Sequence, residues 1–293
     1  MNLHHLSISL RCLLGLGIFF IGSLAAHAQK DTGPELEVMT FNIRYPNLED
    51  GLNYWTLRKG FVADVMLEHK PDVIGVQEAM RGQLNDLAKR MEGYAEVGVG
   101  RDDGKQAGEY SAILYKKSAL ELKESGTYWL SDTPEVPGSR TWNHVCPRVC
   151  TWAYFRHLGS DSHFYLFNTH WDNASAEART KSATLMKERI KARKHASAPF
   201  LITGDFNCGE GSEPIKELCK GLNLLDSFRV VNPQAKDTGT VHFWSGKQTN
   251  AKIDYILVEP TTKVIESEIN HVARNGRFPS DHFPVRAKIK LNK

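Results

Sequence analysis

From residue 36 onward the chain alternates short apolar runs with amphipathic stretches. Leu36-Glu-Val-Met-Thr-Phe-Asn-Ile43 predicts a strand, and residues 56–69 set Leu57, Phe61, Val62, Val65 and Met66 on one helical face. Lys70-Pro71-Asp72 ends that helix, because proline has no amide hydrogen to continue it, and Val73-Ile-Gly-Val76 predicts a short buried strand. A second helix is expected over 81–91, followed by a Gly/Asp-rich loop over 98–108. Further strands are expected over 111–115, 149–155, 163–169, 200–203, 253–258 and 285–289. Residues 176–195 read as a basic amphipathic helix with Ala183, Met186 and Ile190 inward. In the last strand Val285, Ala287 and Ile289 alternate with Arg286, Lys288 and Lys290, the mark of a half-exposed antiparallel strand. Buried and half-exposed strands together imply mixed sheets with helices on their outer faces.

The first 28 residues break this pattern. They carry one charge, Arg11, then an apolar run over 12–26 and Ala26-His27-Ala28, the order of a signal peptide and its cleavage site. A membrane anchor is the competing reading, but the run falls short of the roughly 20 residues a spanning helix needs. Cleavage before Gln29 is therefore expected, giving a secreted or periplasmic protein with no stable membrane insertion. Residues 29–293 hold no repeat, low-complexity tract or long linker and are expected to form one domain, as a monomer.

A composition of 41% hydrophobic and 24% charged residues in 293 excludes a disordered or fibrous chain. The net charge of +3 sets up no strong field for polyanions, so any anion binding has to be local. Cys146, Cys150, Cys208 and Cys219 follow the leader, and an even number in an oxidising compartment admits disulfides, in three pairings that the sequence leaves open. Zinc is set aside, since Cys146-Pro-Arg-Val-Cys150 has no matching Cys/His pair at the usual spacing.

Polar residues gather where strands end. Asn42 follows Met-Thr-Phe, Gln77-Glu78 follows Val-Ile-Gly-Val, and His170 follows Leu-Phe-Asn-Thr. Asp205 and Asn207 follow Leu-Ile-Thr-Gly, Asp254 interrupts an apolar run, and Ser280-Asp281-His282 precedes the last strand. Singly these are a turn asparagine, a helix-capping Glu78, a structural His170 and an Asp254 paired with Lys252. A carboxylate in an apolar strand is costly without a partner, and six such strand ends point to one cleft. The oxygen ligands Asn42, Glu78 and Asp281 suit Mg²⁺ or Mn²⁺. Asp205 can orient or deprotonate a water, Asn207 can donate to a phosphate, and His170 and His282 can donate or transfer a proton. Asp254 can hold His282 in one tautomer and favour its charged form.

The ordered set Asn42, Gln77-Glu78, Thr169-His170, Gly204-Asp205-Phe206-Asn207, Ile253-Asp254-Tyr255 and Ser280-Asp281-His282-Phe283-Pro284-Val285 resembles the endonuclease/exonuclease/phosphatase superfamily. The resemblance implies an α/β, DNase-I-like four-layer sandwich, two mixed β-sheets packed face to face with helices on the outer faces. It assigns Asn42, Glu78 and Asp281 to the metal and His170, Asp205, Asn207, Asp254 and His282 to catalysis. Asn168-Thr-His-Trp-Asp172 and Trp55-x-x-Arg58-Lys59 resemble the carbon catabolite repressor deadenylase branch and its exported bacterial relatives.

Tyr110, Arg140, Trp142 and Arg148 are candidate substrate contacts, since arginine binds phosphate bidentately and tryptophan stacks on a base or sugar. Alternatively Arg148 pairs with a surface carboxylate, and Trp142 and Tyr110 pack in cores. Asn173-Ala-Ser175 matches a glycosylation triplet, and the basic helix reads first as a solvated face. The expected activity is metal-dependent hydrolysis of a phosphate ester by direct water attack. A phosphodiesterase or nuclease, 3′–5′ RNA exonuclease-like, leads; a phosphomonoesterase or a lipid or sugar phosphodiesterase is the alternative. Near-neutral charge weakens the case for nucleic acid, and an inactive binding module on this fold is the reading from another class.

Overall fold

The computed structural model describes Met1 and residues 33–292; Met1 apart, the leader segment with Cys12 and its cleavage motif lies outside the described residues. The elements in chain order are β1 (Glu35–Asn42), α1 (Trp55–Glu68), β2 (Val73–Ala79), α2 (Arg81–Arg90), β3 (Tyr94–Val97), β4 (Tyr110–Lys116) and β5 (Leu120–Trp129). They continue with β6 (Val149–His157), β7 (His163–His170), α3 (Ala176–Lys191), β8 (Phe200–Asp205), α4 (Glu213–Leu222), β9 (Leu225–Asp226) and α5 (Ser227–Val231). β10 (Asp254–Val258), β11 (Lys263–Ile269) and β12 (Val285–Lys290) are the last of the described elements.

Two six-stranded sheets form, in the orders β11-β12-β1-β2-β4-β3 and β5-β6-β7-β8-β10-β9. Each has one parallel pair at its centre, β1 with β2 and β7 with β8, flanked by antiparallel neighbours. The connections are α1 and α3, crossover helices that parallel neighbours require. Side chains alternate between faces, so each sheet has an inner and an outer apolar face. Leu36, Val38, Leu166, Leu201, Ile256 and Val285 fill the space between the sheets. Met39, Phe41, Ile74 and Val76 face outward onto α1 and α2, while Phe167, Phe200, Ile202 and Leu257 pack with α3 and α4. The result is the four-layer DNase-I-like sandwich. Because β10 and β12 run against the central strands, their starts and the carboxyl ends of β1, β2, β7 and β8 lie at one end of the molecule.

A polar seam ties the sheets together. Gln77 Nε2 donates to Asn168 Oδ1 at 2.7 Å, and Asn168 Nδ2 donates to the carbonyls of Val76 and Ala112 at 3.0 and 2.8 Å. Gly75 makes that approach possible: a Cβ there would sit 2.1 Å from Thr203 Oγ1 and 2.5 Å from Asn168 Oδ1.

Several expectations change. Leu57 is 60% exposed. The buried residues of α1 are Trp55, Arg58, Val62, Ala63, Val65 and Met66: Val62, Val65 and Met66 point inward as expected, and Trp55 and Arg58 are buried in place of Leu57 and the half-buried Phe61. α3 stops at Lys191, where Arg193 turns back to bind the carbonyls of Ile190, Ala196 and Ala198. The edge strands β3, β5, β9 and β11 are not among those expected. The four cysteines are free, so the disulfides that export would admit are not formed. No described helix is long and apolar enough to cross a membrane. The basic helix is the solvated, ion-paired face, with Lys181 to Glu177 at 3.0 Å and Arg189 to Glu135 at 2.6 Å.

Candidate active site

A cleft of about 630 Å³ opens at the shared strand ends, lined among others by Arg44, Glu78, Arg101, Glu109, Arg148, His170, Asp205, Asn207, Phe243, Asp281 and His282. Asn42 ends β1 and sits at its base, donating from Nδ2 to Glu78 Oε1 at 3.0 Å and to Asp205 Oδ2 at 2.9 Å. Glu78 is turned toward the cleft by an irregularity in the pairing of β2 with β4 and by a left-handed backbone, φ 61°. Such distortions re-aim side chains beside functional sites. Its Oε2 accepts from the Tyr45 amide at 2.9 Å.

Asp205 lies at the end of β8 with Asp254 opposite it in register on β10. Burial, reinforced by Asp254, lifts the Asp205 carboxyl to about 7. His282 Nδ1 donates to Asp254 Oδ2 at 2.9 Å, and its Nε2 is 3.9 Å from Asp205 Oδ2. Burial disfavours the charged imidazole, but Asp254, Asp205 and Asp281 outweigh it and hold His282 well above its ordinary pKa. His170 does the opposite: burial, with Arg148 and Arg101 nearby, keeps it well below its ordinary pKa. Its Nε2 lies 3.5 Å from Asp205 Oδ2. One protonated and one neutral imidazole therefore flank a carboxyl that can exchange a proton near neutrality. Asn207, φ 49°, donates from its backbone to Asp205 Oδ1 at 2.9 Å and from its side chain to the Trp171 carbonyl at 3.0 Å.

Glu78 and Asp281 present carboxylate oxygens on one wall, with Asn42 beside them. Burial and then the like charge of Glu78 raise Asp281, against the pull of His282. Mutually repelling carboxylates are relieved by a hard cation, so this donor set fits Mg²⁺ or Mn²⁺. Asp205, Asp254 and His282 also bring ligand atoms within 4.8 Å of one another. That trio is a poorer cation site, because a protonated His282 has no lone pair to give.

Of the expected substrate contacts, only Arg148 reaches the cleft. Arg140 donates to the Val145 carbonyl at 2.8 Å, and Trp142 donates to Asp132 at 2.7 Å. Neither lines the cleft, although Val145 and Cys146 of the same loop do; Trp142 and Asn143 are left-handed, φ 57° and 60°, and Asp172 holds the Val145 amide at 3.1 Å. Tyr110 is buried behind the wall, its hydroxyl donating to the Lys105 carbonyl at 2.9 Å. Asn173 of the glycosylation triplet instead lines the cleft and accepts from Arg148.

Glu109, Arg101 and Phe243 line the cleft and are not among the expected residues, while His242 and Arg58, the latter named only within a motif, are buried outside its lining. Glu109 pairs with Arg101 at 2.6 and 3.0 Å, and its Oε2 lies 3.9 Å from His170 Nδ1, a second acid beside a histidine. Arg58, 4% exposed, donates to the carbonyls of Asn53, Ile43, Pro279 and Arg44 at 2.6–2.9 Å. It thus fastens the segment after Asn42 to the segment before Asp281. Phe243, 69% exposed, stands at the rim with φ 47°, its amide donating to the Asp281 carbonyl at 3.2 Å. His242, beside it, is buried and stacked on Phe283 at 4.1 Å.

Burial, with His282 and His271 alongside, pulls the His242 imidazole from 6.5 down to about 4. The unfolded chain therefore takes up a proton that the folded chain refuses. The associated stability, on the order of 3 kcal/mol, is present above pH 6.5 and lost as pH falls toward 4. The melting temperature should drop across that window, and His242→Phe should flatten the drop; an unchanged slope would argue against it.

A model of the Endonuclease/Exonuclease/phosphatase family matches residues 39–282. Among solved structures, a protein of that family from Bacteroides thetaiotaomicron is 32% identical at a TM-score of 0.82, covering 89% of this chain and 99% of that one. The mannosyl-6-phosphatase of the same organism is 33% identical at a TM-score of 0.81, covering 87% and 100%. Nocturnin of Drosophila melanogaster is 23% identical over 283 residues, 81% of this chain and 42% of its own length. The chain spans 39–59% of the length of the first three curated relatives it matches. The family match over most of the chain, on a fold and cleft of this kind, shows that the chain belongs to the Endonuclease/Exonuclease/phosphatase family.

Proposed function

We propose that residues 29–293 form an exported, divalent-metal-dependent phosphoesterase that hydrolyses its substrate by direct attack of water. The observation that carries the chemistry is the convergence of Asp205, neutral His170 and the His282–Asp254 pair beside the acidic wall of Glu78 and Asp281. Asp205 orients the water and can accept its proton. His282, kept protonated by Asp254, donates to a phosphoryl or departing oxygen, and Asn207 and His170 steady the phosphate. Asn42, Glu78 and Asp281 would hold Mg²⁺ or Mn²⁺, which supplies charge neutralisation for the phosphoryl oxygens. Export rests on the leader's order of charge, apolar run and Ala-His-Ala motif.

A phosphodiester, RNA included, suits this set of roles. The 33% identity to a mannosyl-6-phosphatase, spanning all of that chain, favours a second reading, a phosphate monoester on a sugar. A metal-supplemented screen of RNA, DNA, phospholipid head groups and sugar phosphates tests the activity, and hydrolysis of none of them would overturn it. Glu78→Gln should raise the Mg²⁺ concentration giving half-maximal activity about 10-fold and weaken Mn²⁺ binding measured by calorimetry. An unaltered metal titration would remove Glu78 from the metal site.

A further inference from the structure

Thr240 is buried and lies outside the named strands and helices, yet it is bonded to both segments that carry the Asp254–His282 pair. Its Oγ1 accepts from the backbone amides of Ile253 at 2.9 Å and of Asp254 itself at 3.1 Å. Its carbonyl accepts from the Phe283 amide at 2.7 Å, one residue past His282, and its amide donates to the Ala251 carbonyl at 3.2 Å. Val241 bridges His282 in antiparallel register, and the His242 amide donates to the Asp281 carbonyl at 2.8 Å. Residues 240–242 thus lie antiparallel beside 281–283, while the Thr240 hydroxyl bonds the start of β10.

Asp254 depends on that support. β9 pairs with β10 only at Leu257 and Val258, so it stops short of Asp254, and Thr240 Oγ1 supplies an acceptor there. The Asp254 carboxylate itself is sparsely held. Its Oδ2 accepts from His282 Nδ1 at 2.9 Å, and its Oδ1 has no hydrogen-bond partner among the described residues. Lys252, two positions earlier, is spent on Asp226 at 2.7 Å. The direction of the carboxylate is therefore set by the backbone from which it projects. A charge-assisted hydrogen bond weakens steeply as its length and angle drift, so a displaced Asp254 would hold His282 poorly.

We infer that Thr240 is a positioning residue for catalysis, whose hydroxyl holds the Asp254 backbone so that the carboxylate stays in line with His282 Nδ1. The inference rests on the phosphoesterase reading, and assigns alignment of the acid pair to a side chain that does not line the cleft. The test compares wild type with Thr240→Val, which keeps the shape and removes the acceptor, and Thr240→Ser, which restores it. Asp254→Asn is measured alone and combined with Thr240→Val. All measurements are made below the melting transition, and Thr240→Ala replaces the valine variant if that chain does not unfold cooperatively. Metal-supplemented kcat and KM are determined on p-nitrophenyl phosphate and bis(p-nitrophenyl) phosphate. The downfield Nδ1 proton of His282 is followed by NMR and identified by its loss in His282→Ala.

Thr240→Val should lower kcat about 30-fold with KM changed less than about twofold, and shift or broaden the Nδ1 proton, while Thr240→Ser recovers most of both. The double variant should be no slower than Asp254→Asn, since both substitutions act through one hydrogen bond. An unchanged kcat and Nδ1 signal, or losses that multiply in the double variant, would overturn the inference and leave Thr240 a role in the fold alone. If wild type hydrolysed neither ester, the phosphoesterase reading would fall, and the Nδ1 signal would still decide whether Thr240 aligns the pair.

Discussion

Replacing Asp205 or His282 with alanine is expected to lower metal-dependent ester hydrolysis by about 1000-fold or more while the chain keeps its fold. The two side chains act on the same proton inventory. Asp205 is the carboxyl whose pKa of about 7 lets it take a proton near neutrality. His282 is the imidazole that Asp254 keeps charged, at 2.9 Å. Removing either leaves no second group of that type in place, since His170 is held neutral. Losses should fall on kcat, because each contact strengthens as charge develops on the reacting phosphoryl group. Stability should move the other way for Asp205→Ala, since it removes one of two buried carboxyls that face each other in register. Turnover within tenfold of wild type, in a chain that still unfolds cooperatively, would sink the assignment of either residue.

Gly75→Ala should cost about 3 kcal/mol, the upper range for overpacking a core, and lower the melting temperature by about 10 °C. The new methyl would meet Thr203 Oγ1 at 2.1 Å and Asn168 Oδ1 at 2.5 Å, and neither can withdraw freely. Asn168 is held by two carbonyls of the opposite sheet, and Thr203 lies within β8, opposite Asn168 in register. The two sheets would have to separate locally, at the seam beneath Glu78 and Asp205. Thermal unfolding followed by circular dichroism measures the loss. Adding Thr203→Ala should recover only part of it, because the Asn168 contact persists. A melting temperature within 2 °C of wild type would mean that the seam is not close-packed.

The central strands were legible because they are buried on both faces and read as unbroken apolar runs. Each polar residue at such a run's end stood out against it, which is how Asn42, Glu78, His170 and Asp205 could be found without a fold. β5 and β11 were missed because they are half-exposed strands, rich in Glu, Lys and Ser, with no such contrast. Arg58 was seen only as part of a motif. Its four acceptors are carbonyls from three separate segments, and backbone carbonyls leave no trace in residue type. Glu109 and Arg101 were hidden for a related reason: an acid and a base eight positions apart in a Gly-rich loop look like solvated charge until the loop folds over His170. Arg140 and Trp142 have the residue types of substrate contacts, but Arg140 is spent on the Val145 carbonyl and Trp142 on Asp132.

The order in which the sheets receive their strands bears on when the site can exist. The second sheet is built from one continuous stretch, β5 to β10, inserted between strands of the first. The first sheet waits for β11 and β12, and β12 enters between β11 and β1 as the final element. Asp281 and His282 arrive immediately ahead of it. A nascent or carboxyl-terminally clipped chain would thus lack part of the acidic wall, the protonated imidazole and the partner of β1 all at once. On the proposed reading hydrolysis therefore depends on β12 being in place, and cutting the chain before residue 280 should abolish activity and cooperative unfolding together.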